Sequence, residues 1–336
     1  MRKLNPFVAA LIGTALLSPA AQAATPYDGL NVLIRDNFQS QYSEVQGVLA
    51  VGGNATLFNY GVDLLSTPYG GASGYGLVVG GNLTFSSGAV GTLVTNPAQT
   101  YYGGALNGAL VNYTAGTVTT PTLAPVNFIS LFSQAGSAST ALAGYTVNGA
   151  TTLSAGINPQ GVTFTGDGAS GLQVFSISGT DLQTRNQIVV NSVPTTSTIL
   201  VNVTGAFAQL ASVDSSTPFV PFGNKVLFNF KDATQVNFAN TGLHASVLAP
   251  NAVITSSSGY LQGTVIAKDW NGDFAVHTAS GPDILAVPEP ETYAMMLAGL
   301  GLMGFVARRR RQSQNSASGH RLLFPLPPEL IKGNGG

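Results

Sequence analysis

Between residues 30 and 277 the apolar positions come in short bursts separated by Gly, Asn, Pro and Ser. Val162-Thr163-Phe164-Thr165 and Leu172-Gln173-Val174-Phe175-Ser176-Ile177 alternate, while Gln187-Ile188-Val189-Val190 and Ile199-Leu200-Val201-Asn202-Val203 run almost without a polar break. Both are strand patterns, and Lys225 to Phe230 and Thr234 to Phe238 continue the series. One stretch has another period. Phe128, Leu131, Phe132, Ala135 and Leu142 fall near helical spacing with Pro125 just ahead. Residues 127–143 therefore read as the one amphipathic helix of the body, despite Gly136. It should pack along the flank of the strands and cover their apolar side.

The strands repeat. Val48-Leu49-Ala50-Val51-Gly52-Gly53-Asn54 is echoed by Gly76-Leu77-Val78-Val79-Gly80-Gly81-Asn82, an offset of 28 residues from Gly52 to Gly80. Later, Val247-Leu248-Ala249 recurs 18 residues on as Val265-Ile266-Ala267. A strand–corner–strand unit that recurs is the signature of a β-solenoid coil. Gly-Gly-Asn is expected to supply the positive-φ positions of a tight corner. Small residues at Ala245, Ala249, Gly263 and Ala267 would let successive coils stack closely. A phosphate-cradling glycine loop is a poor alternative, because no Lys-Ser/Thr follows either turn and no helical period opens after it. The pattern alone leaves a β-sandwich open for the middle of the body.

The two ends differ from this body. Met1 to Ala23 has a charged start at Arg2 and Lys3, an apolar run from Phe7 to Leu17, and a small-x-small site at Ala21-Gln22-Ala23. It reads as a signal peptide with the mature chain beginning at Ala24. The stretch 287–311 carries Pro288, Glu289 and Pro290, then an uncharged run over 293–307, then Arg308, Arg309, Arg310 and Arg311. The prolines fix φ and remove donors, so the triplet is expected to be extended. As a helix the run would span roughly 22 Å, short of a hydrocarbon core of about 30 Å, and the arginines would hold its end on the cytoplasmic side. A tail, 312–336, follows and is expected to be disordered.

Composition narrows the chemistry. Charged residues are only 8% and hydrophobic residues 44%, which suits a folded β-rich exported protein rather than a disordered chain. There is no cysteine, so disulfides, thiolate metal sites and a cysteine nucleophile are excluded. Between Ala24 and Ala286 five basic residues face eleven acidic ones, so the body offers no basic footprint for nucleic acid. Its two histidines, His244 and His277, have no G-x-S-x-G or H-E-x-x-H partner motif and read as structural or surface residues. Asp269, Asn271 and Asp273 sit at positions 1, 3 and 5 of a calcium loop, but Phe274 replaces its glycine and Ser280 its bidentate glutamate. The alternative is a polar turn between strands. The scattered acids, with Glu44 the one glutamate among them, give no preferred pair for glycoside hydrolysis. Trp270 and the tyrosines are able to stack on sugars but serve equally as core residues.

Two resemblances follow from these residues. Pro-Glu-Pro, an apolar Gly/Leu/Met run and an arginine cluster, in that order, resemble the PEP-CTERM sorting signal of Gram-negative bacteria. The resemblance implies recognition by an exosortase, an integral-membrane processing enzyme thought to cut near the triplet, in a pathway that accompanies exopolysaccharide production. Members usually end soon after the arginines, and here 25 further residues, Gln312 to Gly336, follow. The early A-V-G-G-N block, with VLFNFKDATQV, HASVLAPNAVIT and LQGTVIAKDWNGDFAVH, is similar to the choice-of-anchor A domain. That family implies a surface adhesive module with a β-solenoid and a flanking helix, like ice-binding-type folds.

The combined expectation is a mainly all-β chain. A signal peptide over 1–23 precedes a right-handed β-helix-like body over 24–286 with one helix near 127–143. A sorting signal with a single membrane helix over 287–311 and the tail 312–336 complete it. The expected route runs through an inner-membrane intermediate to the cell surface or extracellular matrix. The expected role is adhesive or structural and non-enzymatic, with exosortase and an extracellular polysaccharide or surface ligand as partners and no cofactor unless calcium. A glycan-binding or glycan-active enzyme is the alternative. Ice binding ranks last, because Thr117-Val118-Thr119 and Thr163-Phe164-Thr165 are isolated rather than a regular array.

Overall fold

The computed structural model describes residues 29–65, 74–91, 98–108, 118–119, 124–154, 160–212 and 216–278. The signal peptide with Ala21, Ala23 and Ala24, the triplet Pro288, Glu289 and Pro290, the membrane segment 293–307, the arginines Arg308 to Arg311 and the tail lie outside the described residues. No described helix is long and apolar enough to cross a membrane.

Twenty strands join in one sheet, and every pairing within it is parallel. The sheet winds into a β-solenoid, as the repeat predicts. Leu49 pairs with Leu77 and Ala55 with Leu83, the 28-residue offset; Val247 pairs with Val265, the 18-residue one. A full coil has three sides. Strand Ser246–Gln262 is long enough to pass along all of them, pairing in turn with Val265–Gly272 on two sides and Ala275–His277 on the third.

The stacking order is not the chain order. Leu30–Ile34 pairs on one edge with Val48–Val51, the next coil in sequence, and on the other with Val265–Gly272, near the end of the body. Two half-stacks therefore grow from a shared middle. One runs from Leu30 through Tyr75–Val79 and Gln99–Tyr102 to Val118–Thr119. The other begins with Leu172–Ser178 and returns through Thr198–Thr204, Val226–Asn229 and Ser246–Gln262 to meet the first coil. A separate three-stranded sheet, Ala150–Leu153, Gly161–Thr165 and Gln187–Asn191, joins this second half-stack through Phe164, whose ring lies 5.1 Å from that of Phe175.

Getting from the end of one half-stack to the start of the other is the task of helix Phe128–Ala143. Asn127 caps it, its side chain accepting from the Ser130 amide at 3.1 Å. Sixteen residues span about 24 Å, roughly five rungs at about 4.8 Å each. Leu131, Ala135, Ala138 and Leu142 face the first side of the solenoid and bury Leu33, Ala50, Val78, Leu200, Leu227 and Ile266. Those strands also fill the interior with their alternate residues, so Val48–Val51 is buried at all four positions. The helix end is fixed by buried amides. Asn202 Nδ2 donates to the Leu142 carbonyl at 2.9 Å, and Asn229 Nδ2 to that of Ser139 at 2.9 Å. Both bonds tie the last turns of the helix to the strands beneath it. Two single-turn helices, Gly179–Leu182 and Ser216–Phe219, add to the one helix that periodicity predicts.

The Gly-Gly-Asn corners are correct in place but not in cause. None of Gly52, Gly53, Gly80 and Gly81 has a positive φ. A Cβ on Gly80 would lie 2.3 Å from the Gly52 carbonyl oxygen, and one on Gly52 equally close to that of Arg35. Glycine is required because coils approach backbone to backbone there. The left-handed corner residues lie elsewhere, at Tyr42, Asn59, Asn240 and Ser258 among others.

Candidate functional site

Among the described residues no helix lies over the second side of the solenoid. Its strands, Phe38–Gln41 and Ala55–Phe58 among them, alternate strictly between buried and exposed. Inward residues such as Phe38 and Trp270 stack at 5.8 Å in the core. Outward residues form rows across the coils. The middle row reads Gln209, Asn237, Thr255, Asn271, Gln39, Thr56, Thr84 and Asn107 in stacking order. Its members repeat about every 4.8 Å, the strand spacing.

At the corner leading into this side runs a polar ladder. Asn37 N donates to Asp269 Oδ1 at 3.0 Å, Asn54 N to Asn37 Oδ1 at 3.1 Å, and Asn82 N to Asn54 Oδ1 at 2.8 Å. The Ala105 amide then donates to Asn82 Oδ1 at 2.8 Å. Each rung satisfies a backbone donor of the next coil, which is the physical use of the asparagine after Gly-Gly.

The structure does not form a calcium-type loop from Asp269, Asn271 and Asp273. Asp269 and Asn271 lie on strand Val265–Gly272, with buried Trp270 between them. Alternate strand residues lie roughly 6.6–6.8 Å apart, so the three side chains are spread along an edge rather than gathered around one point. Asp269 supports the ladder and lies 3.3 Å from Lys268 Nζ. Asp273 accepts from the Gln41 amide at 3.1 Å and from Gln41 Nε2 at 3.4 Å. Among the described residues no group of three or more His, Asp or Glu is placed to hold a metal ion.

Beside Asp273 the surface dips into a groove of about 240 Å³, lined by Gln39, Gln41, Thr56, Phe58, Asn271 and Asp273 together with Ser40, Ser256 and Gly272. It lies where the last described coil, through Val265–Gly272, stacks on the first, through Phe38–Gln41. Phe58, 39% exposed, is part of this lining, and its ring meets that of Tyr42, 66% exposed, edge to face at 5.2 Å. Polar Ser40 is inward and apolar Phe58 outward, so the hydrophobic pattern of Phe38-Gln39-Ser40-Gln41 and Ala55-Thr56-Leu57-Phe58 marks the outward residues only in part. Nothing local could have shown that Asp273 meets Gln41, 232 positions away.

The histidines converge on the third side. Tyr260 packs between them, stacked on His277 at 5.1 Å and edge to face with His244 at 5.8 Å. His277 Nε2 lies 3.8 Å from Glu44 Oε1. Two groups titrate away from their ordinary ranges. Burial pushes the Tyr60 phenol up, and a hydrogen bond from Gln173, with others from the Ala169 amide and Asn148, holds the exposed Asp167 carboxyl down. Neither lines the groove.

A family model described as "Putative Ice-binding-like adhesive domain" matches residues 23–278. A second, the PEP-CTERM protein-sorting motif, matches residues 286–311. No curated protein and no solved structure matches the chain.

Proposed function

The chain belongs to the ice-binding-like adhesive domain family, and from that premise we propose that it is a non-enzymatic adhesin or matrix-structural protein of the bacterial surface. With the adhesive domain and the sorting motif in one chain, it is an exported surface protein of the exosortase-sorted kind. The observation that carries the adhesive reading is the second side, where eight described coils present outward polar side chains in register and no described helix lies over them. Such a surface suits contact with a repeating partner. The narrower choice-of-anchor A assignment is supported by the quoted blocks, which supply the coils at the middle of the stack.

In the proposed route the segment 293–307 holds the chain in the inner membrane until exosortase cuts near Pro290. Intact mass of surface fractions still including Arg308 to Arg311 would refute that removal. The adhesive role is tested by comparing adherence of cells with and without the gene to their own polysaccharide matrix. Unchanged adherence on deletion sinks it. Shortening of that polysaccharide by the purified chain would favour the glycan-active enzyme instead. Calcium at Asp269 or Asp273 is a separate proposal, removed if titration calorimetry finds no heat at millimolar calcium. Ice binding is less favoured, because the middle outward row mixes glutamine and asparagine with three threonines.

A further inference from the structure

We propose that the groove beside Asp273 binds a neutral pyranose polysaccharide. The exposed Tyr42 ring, braced edge to face by the groove-lining Phe58, is the stacking surface, and Asp273, Gln41, Gln39 and Asn271 form the hydrogen-bonding row. This rests on the adhesive reading and names a ligand class for it.

The aromatic pair is the first reason. A side chain as large as Tyr42 contributes little to the core when it is 66% exposed. It is also held at φ 52°, a region that bulky residues rarely adopt. On the neighbouring coil Asn59, one of the residue types suited to that region, takes the corresponding corner. Keeping a tyrosine here preserves an exposed ring beside the groove, next to Phe58. Aromatic faces with apolar surface and a polar tip suit the C–H face and hydroxyls of a sugar ring.

The polar lining is the second. Asp273 is fixed by two hydrogen bonds from Gln41, and a carboxylate has about four acceptor sites, so acceptors remain for hydroxyl donors. The amides of Gln39 and Asn271 both donate and accept, as sugar hydroxyls do.

Charge selects among glycans. No Lys or Arg lines the groove, Asp273 does, and Asp269 supports the same strand. An anionic polymer would meet like charge. The volume of about 240 Å³ is below that of pockets enclosing a drug-sized molecule, so the groove takes a short section of a longer chain lying across the coils.

The test is affinity electrophoresis of the full chain in non-ionic detergent. The gels contain dextran, laminarin or galactomannan, with alginate as the anionic comparison. Retardation is expected in at least one neutral gel and none in alginate. Tyr42→Gly relieves the backbone and removes the ring; it and Phe58→Ala should each weaken retention about fivefold, while Tyr42→Phe keeps most of it. Ile129→Ala, on the exposed helix surface, should change nothing, and circular dichroism checks that every variant is folded. Retention unchanged by Tyr42→Gly and Phe58→Ala, or equal in alginate, overturns the proposal. No retention in any neutral gel overturns it too, and if cells carrying the gene still adhere better than the deletion strain, the adhesive reading survives. Loss of that difference in adherence defeats the adhesive reading instead, whatever the gels show.

Discussion

The helix side and the groove side of the solenoid are built from the same coils, yet they obey different rules. On the helix side Val48–Val51 is buried at every position; on the groove side Phe38–Gln41 is buried at every second one. The difference is whether anything covers the outer face. Helix Phe128–Ala143 takes up the outward Leu33, Ala50 and Val78, so nearly continuous apolar runs are tolerated there. No described helix lies over the other side, and its outward positions carry amides, hydroxyls and the Phe58 ring that meets Tyr42. The helix side buries apolar residues on both faces of its strands, whereas Phe38–Gln41 and Ala55–Phe58 bury only the inner one.

Substitutions sharpen or break this contrast. Ala138→Glu puts a charge between helix and strands at a position 1% exposed, and should cost about 3–5 kcal/mol by urea denaturation, as an unpaired buried charge does. Retained stability would mean that the helix is only loosely docked. Gly80→Ala lies at the corner joining the two sides, where the added Cβ meets the Gly52 carbonyl oxygen at 2.3 Å; about 1–3 kcal/mol should be lost. Asn229→Ala removes the buried amide that holds Ser139 and Asn202, and a loss of about 1–3 kcal/mol is expected. Gly136→Ala, on the same helix with nothing within 4 Å of its added Cβ, should instead gain about 0.5–1 kcal/mol, a rise visible in Tm. Smallest of all, Thr56→Val on the open side should move stability by less than about 0.5 kcal/mol. A large effect there would show that the open rows carry the fold.

Much of the architecture is legible in the residues. The helical spacing of Phe128, Leu131, Ala135 and Leu142 places the helix to within one residue of Phe128–Ala143. The Gly-Gly-Asn echo and the Val-Leu-Ala echo give the stacking registers of their coils. Other parts were legible in place but not in meaning. The glycines mark corners, but close backbone stacking rather than positive φ demands them. Asp269, Asn271 and Asp273 match a loop spacing, but period two on a strand gives the same spacing with a different geometry.

The sequence by itself determined the period of the strands, the one long helix of the body, the 28- and 18-residue coil offsets, the absence of cysteine and the body's lack of a basic footprint. These are local properties or properties of composition, and neighbouring residues are enough to specify them. Only the tertiary structure decided that the coil beginning at Leu30 sits in the middle of the stack, against Val265–Gly272. It also decided which side the helix covers and where Asp273 meets Gln41 and Phe58. A parallel strand offers the same hydrogen-bonding edge to any partner of suitable shape. The choice among partners more than two hundred residues apart therefore rests on how side chains from both coils fill the shared interior.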